Sequence, residues 1–156
     1  MTYWQYYTKD LFDDLGSHRV IAHGVNCRGA MGAGFARQIR TRFPKAYDRY
    51  MMACQRTPNP ERLLGRILPV RISEDLTVIH CFTQLNYGRV ADHRYLSYDA
   101  LYDCFKKIGS TIDYPVPIAI PKIGCGLAGG NWEIVEAIIT ETTTNHLIKV
   151  YDVNND

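Results

Sequence analysis

Apolar positions along this chain recur at two spacings, and their alternation predicts strands and helices in turn. Thr2 to Thr8 is rich in aromatics and reads as a first strand near a sheet edge. Lys9 to Asp14 turns the chain out of it, and Arg19 to Val25 forms a second strand around the run Val20-Ile21-Ala22. After a small-residue loop from Asn26 to Gly32, a helix is expected from Ala33 to Phe43. There Phe35, Ile39 and Phe43 share one face while Arg37, Arg40 and Arg42 turn outward. Pro44 ends that helix and suits the first turn of the next, whose apolar face is Tyr47, Tyr50 and Met51. The run Thr57-Pro-Asn-Pro60 stops it.

Gly65 to Ile72 and Leu76 to Thr83 read as a hairpin joined by Ser73-Glu74-Asp75. A polar segment from Gln84 to Tyr95 follows, with a turn at Asn86-Tyr87-Gly88-Arg89. Ser97 is placed to cap a third helix that buries Leu101, Cys104, Phe105 and Ile108. Val116 to Pro121 is a short apolar strand, and Ile123 to Gly130 is a second glycine-rich loop. Asn131 caps a fourth helix reaching Thr143, with Trp132, Val135 and Ile139 inward, and His146 to Val153 closes the sheet. The alternation predicts an α/β fold: a three-layer α/β/α sandwich with a mixed, mostly parallel central sheet, in one domain over residues 1–156.

Two stretches carry candidate chemistry. The first is His23-Gly-Val-Asn26-Cys-Arg-Gly-Ala-Met-Gly32-Ala-Gly34-Phe-Ala, a strand end, a glycine loop and a helix start. That arrangement aims backbone N–H groups at an anion, and the helix dipole favours negative charge there. It is neither a dinucleotide fingerprint, since Arg37 stands where a third glycine belongs, nor a Walker loop. The second holds Gly124, Gly126, Gly129 and Gly130 within seven residues directly after a strand. So many glycines weaken a purely structural turn, and close approach of the backbone to a ligand would account for them. In open α/β sheets ligands sit beyond the strand carboxyl ends, so both loops are expected to face one cleft as a phosphate or diphosphate site.

A histidine inside an apolar strand is ordinarily a core residue, and His80 keeps that reading. The position of His23 at the mouth of the glycine loop makes it a candidate. His93, beside Asp92, either reaches the cleft or is solvated. The histidines are single, with no companions at metal spacing, so no metal is expected.

Composition narrows the setting. Hydrophobic residues make up 46% and charged ones 22%, ordinary for a globular domain, and a net charge of +2 does not call for nucleic acid as a partner. Between Arg28 and Arg49 the only acid is Asp48, so the helices after the first loop carry a positive face, a solvated surface or a lure for an anionic ligand. Five cysteines without a Cys-x-x-Cys, no signal peptide at the N-terminus and no apolar stretch of membrane-spanning length suggest a cytoplasmic protein that does not engage membranes. Cys27 and Cys125 flank the expected cleft and read as small packing residues.

Three motifs together resemble the macrodomain family: Tyr7-Thr-Lys-Asp10-Leu11-Phe12, then His23-x-x-Asn26-Cys-x-x-x-Met-Gly-Ala-Gly34-Phe-Ala, then Ile120-Pro-Lys-Ile-Gly-Cys-Gly-Leu127. The likeness spans nearly the whole chain. It is narrowest to the branch of the yeast-type ADP-ribose 1''-phosphate phosphatases and the terminal ADP-ribose glycohydrolases. The resemblance implies that Asp10, with Leu11 beside it, receives the adenine amino group, although Lys9 replaces the glycine usual before it. It implies that Asn26 binds the distal ribose, that Gly32, Ala33, Gly34 and Phe35 wrap the diphosphate and distal ribose, and that Ile123, Gly124, Cys125, Gly126 and Leu127 cradle phosphate.

The glycohydrolase type uses a lysine shortly after the strand that ends here at Thr83, and this chain has none before Lys106. His23 instead aligns with a histidine assigned to phosphate removal. The resemblance therefore implies an enzyme, a phosphoric monoester hydrolase converting ADP-ribose 1''-phosphate to ADP-ribose and phosphate. His23 would activate water and Asn26 would orient the ribose. No cofactor is expected, the partner is a small ADP-ribose derivative, and the expected form is a monomer. The other readings are a glycohydrolase or deacylase of ADP-ribose conjugates and a non-catalytic ADP-ribose reader; the absence of an attached domain favours an enzyme.

Overall fold

The structure, a computed structural model, describes residues 1–153. The last three residues of the span expected as one domain lie outside the described residues. The strands are β1 (Tyr3–Tyr7), β2 (Val20–Asn26), β3 (Ile67–Ser73), β4 (Leu76–Gln84), β5 (Ile118–Pro121) and β6 (Leu147–Tyr151). The helices are α1 (Gly34–Arg42), α2 (Pro44–Gln55), α3 (Tyr98–Thr111) and α4 (Trp132–Thr142), with 3₁₀ turns over Leu11–Ser17 and Pro60–Arg62.

All six strands form one sheet in the order β1-β6-β5-β2-β4-β3. Only β3 runs antiparallel, as the hairpin partner of β4. The other neighbours are parallel, so β1, β2, β4, β5 and β6 all point their carboxyl ends the same way. Both glycine-rich loops leave from that one edge. β1 is an edge strand, as its aromatic run predicts.

Strand parity sorts the core into two layers. Val20 and Ala22 of β2, Ile79 and Cys81 of β4, and Ile118 and Ile120 of β5 join Leu101, Phe105, Ile108, Val135 and Ile139 of α3 and α4. Ile21 and Val25, Val78 and Phe82, and Ala119 face the opposite way, onto Ile39, Ala46 and Tyr50 of α1 and α2. Residues in both layers are withdrawn from water on both faces of β2 and β4, which is why those strands read as unbroken apolar runs.

Local boundaries differ in instructive places. The expected turn at Lys9–Asp14 continues as a 3₁₀ helix because Asp10 caps it, accepting from the Phe12 N–H at 2.9 Å, and because Leu11 and Phe12 are buried. The third strand starts at Ile67 rather than Gly65, since Gly65 takes a left-handed conformation at φ +86° that ends the preceding turn. Ser97 and Asn131 cap α3 and α4 as expected. Trp132 is half-buried, with Val135 and Ile139 fully inward.

Candidate functional site

The loops after β2 and β5 leave from neighbouring strands, with the loop after β4 on the other side of β2. The first is built around Asn26. Its side-chain Oδ1 accepts from the N–H groups of Arg28 (2.9 Å) and Ala30 (3.3 Å), and its Nδ2 donates to the Ala30 carbonyl at 2.7 Å. The Tyr50 hydroxyl, rising from α2, lies 2.8 Å from the Asn26 carbonyl oxygen and 2.9 Å from its Oδ1. Outside this turn, Gly32 and Gly34 are exposed, and a side chain at either would meet open space.

The helix that follows, like α2, has no side-chain cap, but α2 begins with Pro44 and α1 with Gly34. Ala33 stands at the cap of α1 and offers no side-chain hydrogen bond. Ser97 satisfies the first turn of α3, and Asn131 takes the N–H groups of Glu133 and Ile134 at α4. The first N–H groups of α1 therefore remain free for an external acceptor, where the helix dipole is positive.

The second loop changes the reading of its glycines. A Cβ on Gly124 would come within 2.6 Å of Leu96, one on Gly129 within 2.6 Å of the His93 carbonyl, and one on Gly130 within 2.5 Å of Leu96. These three are glycines because the loop after β4 packs onto them, through Tyr95 and Leu96 N–H groups that both donate to the Ala128 carbonyl. Gly126 alone of the four opens into space. The expectation that ligand approach explains all four is corrected to one. Ile123 is buried, Cys125 half-buried and Leu127 exposed. Burial pushes the Cys125 thiol up to about 11 and the Cys27 thiol up to about 12, which keeps both protonated packing groups.

Between this loop and the segment after β4 lies a cavity of about 520 Å³, lined by Arg89, Asp92, His93, Gly126, Leu127 and Gly129 among others. Asp92 holds a left-handed backbone at φ +61°, which aspartate tolerates better than most residues. His93 stands edge-on to Tyr95 with ring centres 4.2 Å apart. The sequence pointed to this segment only as a polar stretch with a turn, leaving Tyr87, Asp92 and His93 undecided.

His23 is not at the cleft. It lies in the layer under α1 and α2, 1% exposed, with its ring 5.7 Å from that of Phe35. Its Nε2 meets Nδ1 of His80 at 2.8 Å, and Nε2 of His80 meets the Ala46 carbonyl at 2.8 Å. A carbonyl only accepts, so His80 carries its proton on Nε2 and His23 donates to its Nδ1. Nδ1 of His23 is buried without a partner. Burial, and then the neighbouring His80, hold His23 well below the usual imidazole range; burial pushes His80 down to about 4. This geometry places His23 as a neutral ring sealed from solvent and packed among protein groups, rather than at the mouth of the glycine loop. Asn26, 6% exposed, likewise uses its side chain to shape the loop.

Asp10 is placed at the open edge beside β1. One carboxylate oxygen caps the 3₁₀ helix, and Leu11 behind it is buried, so that any contact of Leu11 with a ligand runs through its backbone. Among the described residues no three His, Cys, Asp or Glu side chains gather as a metal-holding group. No helix among them is long and apolar enough to cross a membrane.

A family model described as the macro domain matches residues 22–139. A protein of Debaryomyces hansenii named ADP-ribose 1''-phosphate phosphatase is 31% identical, with 96% of this chain and 99% of that one covered. A solved structure of a protein of unknown function from Bacteroides thetaiotaomicron superposes with a TM-score of 0.84 at 29% identity, covering 97% of this chain and 98% of that one. The macrodomain of Thermus aquaticus DarG shares the fold, with a TM-score of 0.76 at 22% identity over 97% of this chain and 99% of that one.

Proposed function

This chain belongs to the macro domain family, and on that premise we propose that it binds ADP-ribose and hydrolyses ADP-ribose 1''-phosphate to ADP-ribose and phosphate. The observation that carries the reading is the uncapped start of α1 behind exposed Gly32 and Gly34, at the carboxyl end of β2. Free N–H groups there suit a diphosphate. The full-length likeness to the phosphatase of Debaryomyces hansenii supports the choice of substrate.

The adenine amino group donates to the Asp10 carboxylate, whose second oxygen is not engaged by the cap. Gly32 to Phe35 surround the diphosphate and distal ribose, and Gly126 and Leu127 border the terminal phosphate. Water attacks phosphorus, the bond from phosphorus to the C1'' oxygen breaks, and that oxygen takes a proton. Asp92 and His93 are the titratable side chains on the cavity wall and serve the proton transfers. Backbone donors stabilise the charge that develops on the transferring group. His23 and Asn26 act as positioning residues: His23 through His80 under α2, Asn26 within the loop it shapes.

The protein acts on this small molecule as a monomer, without nucleic acid. Five free cysteines support the reducing cytoplasm as its compartment. The deciding experiment measures phosphate release from ADP-ribose 1''-phosphate by chelator-treated protein, alongside calorimetric titration with ADP-ribose. Turnover on the order of one per minute or faster is expected. Binding without release would leave a reader or a conjugate hydrolase.

A further inference from the structure

Arg89 stands, exposed, on the wall of the 520 Å³ cavity that Gly126 also lines. Four other arginines are engaged. Arg28 donates to Asn86 at 2.8 Å, Arg94 donates to the Leu96 carbonyl and lies over the Tyr98 ring, Arg40 covers Tyr47, and Arg42 covers Phe12. Among the described residues Arg89 has no ion pair, hydrogen bond or ring contact.

Its neighbourhood is nevertheless anchored. The Val90 N–H donates to the Tyr95 hydroxyl at 3.3 Å, the His93 N–H to the Val90 carbonyl at 3.3 Å, and the Tyr95 N–H to Ala128 of the second loop at 2.8 Å. An unpaired guanidinium thus sits on a braced segment at the wall of a recess that Gly126 also lines. The wall's one carboxylate is Asp92. A planar guanidinium binds two oxygens of a phosphomonoester at once, and the group is always charged.

We infer that this cavity is the subsite for the terminal phosphate dianion on the distal ribose, and that Arg89 is the residue by which the protein distinguishes the phosphorylated ligand from plain ADP-ribose. The inference rests on the function proposed above and adds its specificity determinant. In the function proposed above the diphosphate lies at the start of α1, which lines no part of this cavity, so the two phosphate groups meet different donors. Arg89 contributes to ground-state binding of the dianion, and its loss raises KM more than it lowers kcat.

The test uses Arg89→Gln and Arg89→Lys, both on an exposed loop position. Phosphate release from ADP-ribose 1''-phosphate is measured with titration of ADP-ribose by calorimetry. Expected is a fall in kcat/KM of tenfold or more for Arg89→Gln, carried mainly by KM, partial recovery in Arg89→Lys, and an ADP-ribose affinity within twofold of the parent. Equal turnover in parent and Arg89→Gln would leave the phosphatase reading standing and overturn the role of Arg89. A parallel loss of ADP-ribose affinity would also overturn it, because Arg89 would then serve the diphosphate or the loop. A parent protein that binds ADP-ribose but releases no phosphate would refute the phosphatase reading, and the subsite with it.

Discussion

Nε2 of His23 lies 2.8 Å from Nδ1 of His80, and the two rings form a neutral buried pair closed by the carbonyl of Ala46. The pair ties β2 to β4 and β4 to α2, directly beneath the first glycine loop. The Tyr50 ring rests against His80 at 5.6 Å, and its hydroxyl reaches Asn26. A histidine at the mouth of a phosphate loop is thereby joined to the loop through a side-chain stack rather than through the ligand.

Acidification should weaken the fold through this pair. His80 titrates at about 4 when folded against an ordinary 6.5, and His23 is lowered as well. The unfolded chain therefore binds more protons below pH 6.5. The stabilisation is complete above that pH and is lost as pH falls through 4, by about 1.4 kcal/mol per pH unit for each histidine. Urea unfolding at pH 7 and pH 5 should show the lower midpoint at pH 5, and His80→Gln should flatten the dependence. A midpoint constant over that range would remove the neutral pair from the account.

His23→Ala should lose stability, by about 2–4 kcal/mol for a large buried side chain left as a cavity. ADP-ribose affinity should fall with it, since the loop above loses its support. Thermal unfolding and calorimetry on one preparation decide the point. Retained stability and affinity with lost turnover would instead support a direct catalytic role.

Two glycines of the second loop should respond in opposite ways. Gly124→Ala forces a side chain into Leu96 at a backbone φ of +74°, and should cost about 1–3 kcal/mol of stability. Gly126→Ala meets nothing within 4 Å and should fold as the parent does, yet lose affinity for ADP-ribose 1''-phosphate. Denaturation curves separate the first effect and ligand titration the second.

Tyr50→Phe removes the hydroxyl that meets the Asn26 carbonyl and Oδ1. The expected loss is about 1–2 kcal/mol, with faster amide exchange at Arg28 and Ala30, whose N–H groups depend on the same oxygen. Exchange confined to other regions would mean that Asn26 holds the loop without Tyr50.

The order of strands and helices was legible because period and capping are local. Alternating apolar runs, Pro44 at a helix start, and Ser97 and Asn131 at caps act within a few residues of themselves. The two glycine loops and the macrodomain motifs were legible for the same reason. Three matters needed the tertiary structure. The layer that receives His23 follows from which helices cover each face of β2, and periodicity along one strand does not contain that. Gly124, Gly129 and Gly130 are glycines because strand order sets the β4 loop close to the β5 loop, across β2, a contact between segments some thirty residues apart. Arg89 gains its place only when that same contact encloses a cavity. Local chemistry determined the elements and their loops, while long-range packing decided which side chains face ligand and which brace the frame.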